Sequence, residues 1–297
     1  MTSPATGQGR PSFVWAAPAF LFFAFFAILP MIVVVWLSFT SWDALSAPTW
    51  IGLDNWVKLG SDPILMESIK ITLALTVFGW LIQTLIALPL GVWLARPGRS
   101  RATVGAVLFI PLLISSAGIG VLWGMLLDPN FGMAAIVGPW IGVPDGNFIG
   151  DPTLAFWVVV FVASWQFVPF HALLYQGATR QIPASLYEAA QLDGANYFQQ
   201  FRAITIPQLK HTIVTSSVLM IVGSLTFFDL VLILTDGGPG TSTTTLPLHM
   251  YKQGFRAFDF GYASVLAVIL LVLGTTVSVV LTRFTGFAKM ESQRDGA

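Results

Sequence analysis

Residues 71–95 read ITLALTVFGWLIQTLIALPLGVWLA, a run of 25 residues without a charged side chain that lies between Lys70 and Arg96. A helix needs roughly 20 apolar residues to cross the hydrocarbon core of a bilayer. Strands of a membrane β-barrel would instead alternate in polarity over about 10 residues, whereas this run is continuously apolar. The stretch therefore predicts a membrane-spanning helix.

Five other stretches have the same character. Uncharged runs of 32, 26, 28 and 23 residues lie at 11–42, 102–127, 152–179 and 260–282, and the stretch 211–235 contains a single acid. We therefore predict an all-α membrane protein with six transmembrane helices, at 14–37, 70–94, 103–127, 154–178, 211–234 and 261–284. Because no linker divides the chain, the predicted organisation is an N-terminal tail at 1–13, one transmembrane domain at 14–285 and a C-terminal tail at 286–297.

The composition supports a membrane protein and excludes several other classes. Charged residues make up 9% of the 297 residues, whereas an ordinary soluble domain has about 25%. The 14 basic and 14 acidic residues give a net charge of zero, which argues against nucleic acid as a partner because phosphate backbones require clustered Lys and Arg. The chain has no cysteine, so disulfides, thiolate zinc sites and cysteine nucleophiles are excluded.

The basic residues predict the orientation of the spans. Cytoplasmic loops of membrane proteins carry an excess of Lys and Arg. Ten of the 14 basic residues fall on the side that holds both termini and segment 179–210: Arg10, Arg96, Arg99, Arg101, Arg180, Arg202, Lys210, Arg283, Lys289 and Arg294. We expect this side to be cytoplasmic, and segments 128–152 and 235–260 to be external.

Few polar residues lie within the predicted spans, and they are the candidates for a substrate path. A charge inside a membrane helix is costly and is a functional candidate by default. Asp229 is either a residue near the membrane interface or an acceptor for the hydroxyl groups of a ligand in a cavity. A sugar fits the second interpretation, because its C–H faces pack on aromatic rings. The candidates are Asp229, Phe228, Trp165 and Gln166, while we interpret His171 as a packed residue rather than a proton carrier.

Signatures of soluble enzymes are missing from the sequence. It contains no GxxxxGK[ST] phosphate loop, no HExxH zinc motif and no GxSxG nucleophile motif. The stretch 237–240, GGPG, resembles a phosphate-binding loop but has no lysine, and we interpret it as an external turn. We therefore predict no catalytic residue, no metal site and no cofactor in this chain.

The segment between the fourth and fifth predicted spans, residues 180–207, reads RQIPASLYEAAQLDGANYFQQFRAITIP. Ser185 is followed three residues later by Glu188, which matches a capping box and predicts the start of a short helix. An amphipathic helix lying on the inner leaflet is a weaker interpretation, because the segment has few Lys or Arg. The segment is therefore expected to do more than connect two spans.

The same segment contains signals for a second helix. Gly194 is placed to end the first helix in a left-handed turn. Asn196 can cap a second helix, which Pro207 is expected to end. The sequence therefore predicts a helix–glycine–helix elbow on the cytoplasmic side.

The elbow also resembles a known motif. The motif starts with Glu188-Ala189-Ala190. Three intervening residues lead to Gly194, nine more lead to Ile204, and Ile206-Pro207 ends the motif. This pattern resembles the EAA loop of binding-protein-dependent ABC importer permeases, EAA-x3-G-x9-I-x-L-P, with Ile206 in place of the common Leu. Two further segments are similar to the carbohydrate-uptake branch of that family: 51–56, IGLDNW, and 228–240, which begins FD and ends LTDGGPG. The resemblance extends from residue 18 to residue 284.

The resemblance implies a MetI-like helical bundle in a bacterial inner membrane, with both termini in the cytoplasm. It implies a second permease subunit, two ABC ATPase subunits that bind ATP and Mg²⁺, and an extracytoplasmic binding protein that delivers a sugar, here expected to be a neutral di- or oligosaccharide. It also implies that the EAA loop, at about 180–210, docks on an ATPase subunit through Glu188, Ala189, Ala190, Asp193, Gly194, Ile204 and Pro207.

Two other classes of protein are weighed against this one. An ion-coupled secondary transporter or channel usually places several ionisable groups or broken helices at mid-membrane, and here the sequence offers only Asp229 and His171. A membrane-embedded enzyme would need a nucleophile or a metal constellation, which the sequence lacks. Neither class requires a cytoplasmic docking helix.

Overall fold

The computed structural model describes residues 15–284, so the predicted N-terminal tail at 1–13 and the predicted C-terminal tail at 286–297 lie outside the described residues. This part of the chain contains α1 (Ala17–Phe23), α2 (Leu29–Leu37), α3 (Asp54–Lys58), α4 (Leu65–Ala95), α5 (Arg99–Leu108), α6 (Ser116–Leu126), α7 (Ala134–Val137), α8 (Pro152–Thr179), α9 (Ala184–Leu192), α10 (Tyr197–Gln200), α11 (Ile206–Gln208), α12 (Lys210–Leu225), α13 (Asp229–Leu234), α14 (Leu246–Tyr251) and α15 (Phe260–Phe284). The strands are β1 (Thr40–Ser41) and β2 (Thr49–Trp50).

Four of the predicted spans are long apolar helices. A π-helical turn at Ala24–Ile28 joins α1 and α2 into one helix of 21 residues. Helices α4, with 31 residues, and α8, with 28, are the two longest of the described part, and α15 is the fourth long apolar helix. Each is long enough to cross a bilayer, so the prediction of helices at these four places is confirmed.

The third predicted span, 103–127, consists of two helices, so the prediction of a single helix at this place is wrong. Helix α5 ends at Leu108, a 3₁₀ turn follows at Ile110–Leu113, and α6 starts at Ser116 after a bend of 101°. Pro111 lies in the 3₁₀ turn and has no N–H to donate, and the Oγ of Ser115 caps the new helix by accepting from the Gly118 N–H at 3.2 Å. The proline and the serine cap together explain the break.

The fifth predicted span is also interrupted. Helix α12 ends at Leu225, and α13 starts at Asp229 after three intervening residues. Phe228 precedes α13 with φ −129° and ψ −57°, outside the helical region. Asp229 therefore opens a short helix, and does not lie in the middle of a long one. With two spans broken, the count of six membrane crossings stays a prediction.

Residues 62–252 and 269–284 belong to one compact unit, whose core lies between α4 and α8. The two helices approach closely at Gly91, where an added Cβ would lie 2.5 Å from the Ala172 carbonyl oxygen and 2.7 Å from the Tyr175 Cβ. The Gln176 side-chain amide donates to the Leu94 carbonyl at 3.0 Å, near the end of the pair. Glycine at position 91 therefore allows the close packing of the unit's two longest helices.

This contact gives a testable prediction. We expect Gly91→Ala to lower the free energy of unfolding by about 1–3 kcal/mol, because the methyl group overpacks the α4–α8 contact. Gly177→Ala is the matched control, since a Cβ at Gly177 meets nothing within 4 Å. Thermal unfolding of both variants in detergent measures the difference. A Gly91→Ala protein as stable as the Gly177→Ala protein would contradict the packing.

Residues 15–61 and 253–268 belong to a second compact unit. Strands β1 and β2 pair antiparallel, with Thr40 opposite Trp50. Asn55 is buried, and its Nδ2 donates to the Thr40 carbonyl at 2.8 Å and to the Ser38 carbonyl at 3.2 Å. Asn55 thus joins α3 to the end of the first long helix, which explains the asparagine of the segment IGLDNW as a structural residue.

Candidate functional site

The first half of the predicted elbow is the nine-residue helix α9. It begins at Ala184, directly after Pro183, and no side chain caps its N-terminus. Ser185 already lies inside the helix, where its backbone is helical and its hydroxyl cannot reach an N3 amide as an N-cap does. The prediction of a capping box formed by Ser185 and Glu188 is therefore wrong, although the predicted helix is present.

The C-terminus of α9 matches the prediction. Gly194 has φ +79°, in the left-handed region. Its N–H donates to the Gln191 carbonyl at 3.0 Å, and the Ala195 N–H donates to the Ala190 carbonyl at 2.9 Å. These two bonds form a Schellman motif, which satisfies carbonyl groups at the helix end. The glycine therefore fixes the angle at which the chain leaves α9.

The second half of the elbow begins at Asn196, as predicted. Its Oδ1 accepts from the Gln199 N–H at 3.0 Å, and the Gln199 Oε1 accepts from the Asn196 N–H at 2.7 Å. This reciprocal pair is a complete capping box. The prediction that Pro207 ends the second helix is wrong, because a π-helical turn at Phe201–Thr205 leads into α11, where Pro207 occupies the first turn.

Two side-chain contacts hold the elbow in place. The Tyr187 hydroxyl of α9 lies 2.9 Å from the Thr205 Oγ1. The Arg96 guanidinium, beyond the end of α4, lies 4.2 Å from the centre of the Tyr197 ring. The first contact closes the elbow on itself, and the second joins it to the end of a long helix, so the elbow is attached as a defined unit.

The residues predicted to dock a partner are mostly accessible. Helix α9 has no buried residue, and Leu192 is 91% exposed. Glu188 and Ala189 are exposed and Ala190 is partly so, while Asp193 and Gly194 are exposed at the helix end. Ile204, partly buried, and Pro207, exposed, lie in the helical segments that follow. The structure thus brings five of the seven predicted residues together on α9 and its C-terminal cap.

A cavity of about 350 Å³ lies between α4, α8 and α12. Its wall is mainly apolar, with a few polar groups among aromatic rings. The residues that matter chemically are Gln83, His171, Ser224, Phe167, Phe170 and Phe227. Such a mixture of rings and isolated hydrogen-bonding groups is typical of pockets that bind small molecules.

The polar groups of the cavity differ in their hydrogen bonds. His171 is 4% exposed, and its Nδ1 lies 2.9 Å from the Ser216 Oγ. This burial agrees with the prediction of a packed histidine, but its position in the cavity wall was not predicted. Gln83 is 5% exposed, and within the described residues its amide forms no side-chain hydrogen bond. Gln83 and Ser224 are uncharged polar residues in apolar runs, so the sequence alone gave no signal for them.

The four residues predicted for the substrate path lie apart from this cavity, and none is among its described lining residues. Asp229 is exposed at the start of α13, and the ring of Phe228 packs 5.0 Å from the ring of Tyr251. Trp165 packs edge-to-face on another tryptophan and lines a separate apolar groove. Gln166 is buried, and its Nε2 donates to a backbone carbonyl at 3.3 Å. Trp165 and Phe228 both pack against the same apolar core.

Within residues 15–284, no three His, Asp or Glu side chains are arranged to bind a metal ion.

Comparison with known proteins gives a consistent result. Residues 87–286, more than half of the chain, match the family model described as "Binding-protein-dependent transport system inner membrane component". The probable ABC transporter permease protein YurN of Bacillus subtilis is 34% identical, over 94% of this chain and 97% of that protein. The trehalose/maltose transport system permease protein MalF of Thermococcus litoralis is 27% identical, over 89% of this chain and 90% of that protein.

A solved structure has the same fold. It is that of a bacterial ABC transporter involved in the import of the acidic polysaccharide alginate, and it matches with a TM-score of 0.80 and 23% identity, over 94% of this chain and 96% of that one.

Proposed function

Because the chain belongs to the family of inner membrane components of binding-protein-dependent transport systems, we propose that it is the permease subunit of an ATP-driven ABC importer for a sugar. The observation that carries this proposal is the elbow, a largely exposed helical unit between the apolar helices α8 and α12. A Schellman motif ends its first helix, and a capping box starts its second. The sugar is supported by the name of the Thermococcus relative, a trehalose/maltose permease, and we propose a neutral di- or oligosaccharide as the substrate.

The partners follow from this role. The importer contains this chain, a second permease subunit and two ABC ATPase subunits, with ATP and Mg²⁺ bound by the ATPase subunits. An extracytoplasmic binding protein delivers the sugar. Helix α9 docks on one ATPase subunit through Glu188 and Ala189, which are exposed, and Ala190, which is partly exposed. The chain lies in a bacterial inner membrane, with both termini and the elbow in the cytoplasm.

The cavity is the part of the chain that suits a sugar. The rings of Phe167, Phe170 and Phe227 offer faces on which the C–H groups of a sugar pack. The amide of Gln83 has both donors and an acceptor, which suit hydroxyl groups. We place the substrate path through this cavity and keep Asp229, with Phe228, Trp165 and Gln166, as candidates for other positions along it.

The role of Asp229 can be tested by two substitutions. Asp229→Asn keeps the shape and one acceptor, whereas Asp229→Leu removes both acceptors. If Asp229 accepts hydroxyl groups of the sugar, we expect Leu to reduce uptake much more than Asn, because an unmet polar group costs about 1–3 kcal/mol, or roughly fivefold to more than a hundredfold in binding. Uptake of labelled sugar by both variants measures this. Wild-type uptake by both would place Asp229 at the membrane interface without a role in transport.

The proposed function is tested by the energy source of uptake. Membrane vesicles that contain the assembled transporter are loaded with ATP and given labelled maltose or trehalose with the binding protein. We expect uptake that requires ATP and persists when proton and sodium gradients are collapsed. Uptake driven by an ion gradient without ATP would contradict the proposal and favour a secondary transporter.

A further inference from the structure

A second, smaller pocket lies where α4 ends, α5 begins and α8 ends. Its volume is about 210 Å³, and three arginines line it together with the amide of Gln176: Arg96, Arg101 and Arg180. No acidic residue is among its lining residues. Among residues 15–284, none of the three arginines forms an ion pair. The pocket is therefore a concentration of uncompensated positive charge.

Most of the guanidinium donors in this pocket are free. A guanidinium carries five N–H donors. The Nη1 of Arg101 donates to the Pro97 carbonyl at 2.8 Å, while its Nε is buried and has no hydrogen-bond partner in the described part of the chain. The Nε of Arg180 donates to the Ala95 carbonyl at 3.4 Å. Arg101 and Arg180 thus each donate one hydrogen bond to a backbone carbonyl. This bond positions the guanidinium group and leaves its other donors without a hydrogen bond to the residues that the structure describes.

The backbone also contributes positive charge and free N–H donors to this pocket. Gly98, which lines the pocket, is the N-cap of the ten-residue helix α5, and no side chain caps this helix. The first N–H groups of a helix have no partner within the helix, and the N-terminus carries a partial positive charge. Unsatisfied amides and guanidinium groups at one site favour an anion with several acceptor oxygens.

We propose that this pocket binds a phosphate group, carried by an anionic phospholipid or by a soluble phosphate compound. The forked donors of arginine match phosphate oxygens in geometry and charge. Trp93 lies 5.5 Å from the Arg101 guanidinium and is 37% exposed, while Val107 on α5 is 59% exposed. Tryptophan and arginine beside exposed apolar surface are typical of the level of the lipid headgroups.

The test uses the full-length chain in its assembled transporter, reconstituted in nanodiscs of phosphatidylcholine. In one arm phosphatidylglycerol is added to the nanodiscs, and in the other inorganic phosphate is added to phosphatidylcholine nanodiscs, with sodium chloride at equal ionic strength as the blank. The thermal unfolding midpoint is measured against the concentration of each anion. The pocket variant is Arg101→Gln with Arg180→Gln. The control is Arg99→Gln, which removes one charge, as Arg180→Gln alone does, from an exposed neighbour that does not line the pocket.

We expect the wild type and Arg99→Gln to be stabilised, and the pocket variant to lose the response or to need about tenfold more anion, because charge-assisted hydrogen bonds are lost. Stabilisation by phosphatidylglycerol alone identifies a lipid headgroup, and stabilisation by inorganic phosphate identifies a soluble ligand. If the double variant does not assemble, Arg180→Gln alone is expected to weaken the response in the same direction.

Two results would overturn the proposal. One is no response of the wild type to either anion. The other is an equal response of the pocket variant and Arg99→Gln, which would reflect general electrostatics.

Discussion

Gly194→Val is expected to abolish sugar uptake and sugar-stimulated ATP hydrolysis while leaving insertion into the membrane intact. Gly194 has φ +79° and closes the Schellman motif of α9. A residue with a Cβ costs roughly 1–2 kcal/mol in the left-handed region, and a β-branched residue is strained further. The valine is therefore expected to relieve the strain by leaving that region, which changes the angle between α9 and α10.

The coupling of the two activities makes this variant informative. Closure of the ATPase subunits on ATP can move the membrane helices only through a segment of this chain that is bound to an ATPase subunit. A tilted α9 would leave its docking site, so uptake and stimulated hydrolysis should fall together, by tenfold or more if docking loses about 1.4 kcal/mol. The binding protein should keep its own affinity for the sugar.

Two variants control for the strain itself. Gly142 has φ +86°, and a Cβ there meets nothing within 4 Å, as at Gly194. Gly142→Val therefore carries the same backbone strain away from the elbow and should retain coupling. Gly194→Asn should be milder than Gly194→Val, because asparagine tolerates the left-handed region. Full coupling in Gly194→Val would contradict the role of the elbow.

Gly223→Trp is expected to block transport by filling the cavity. Gly223 lines the cavity on α12, and a Cβ at this position meets no atom within 4 Å. The side chain can therefore enter without a backbone clash, and an indole would occupy a large part of a space of about 350 Å³. A sugar that stacks on Phe167 or Phe227 would be excluded.

The control for this variant is Gly274→Trp on α15, where a Cβ also meets nothing within 4 Å. Gly274 does not line the cavity. We expect initial uptake rates at background for Gly223→Trp and close to wild type for Gly274→Trp, with equal amounts of both proteins in the membrane. Wild-type uptake by Gly223→Trp would place the sugar path elsewhere in the transporter.

The sequence predicted best those features that local residues determine. The left-handed turn at Gly194 and the cap at Asn196 follow from short-range hydrogen bonds, and both are present. The four long apolar helices follow from run length alone. The Ser185 cap was wrong because Pro183 sets the start of α9 earlier, so that the serine already lies within the helix.

Features that depend on contacts between helices could not be read from the sequence. The run at 102–127 is uncharged and the run at 211–235 contains one acid. Hydropathy does not distinguish a straight helix from one broken after Leu108 or Leu225. Gln83 and Ser224 lie 141 positions apart in the chain and share a site only because α4 and α12 line the same cavity. The negative charge of Asp229 made it a candidate in the sequence, whereas the polar side chains that line the cavity include the uncharged Gln83 and Ser224.

The central claim is that α9 docks on an ATPase subunit and transmits its conformational change to the membrane helices. Cysteine crosslinking tests this claim most directly. The chain has no cysteine, so Ala190→Cys places a single thiol on α9. The control is Ala47→Cys, on an exposed residue between the first two predicted spans, which the predicted orientation places outside the cell. We predict that a bifunctional thiol reagent joins Ala190→Cys, but not Ala47→Cys, to the ATPase subunit in vesicles that retain ATP-dependent uptake. Absence of the Ala190→Cys crosslink in such active vesicles would contradict the claim.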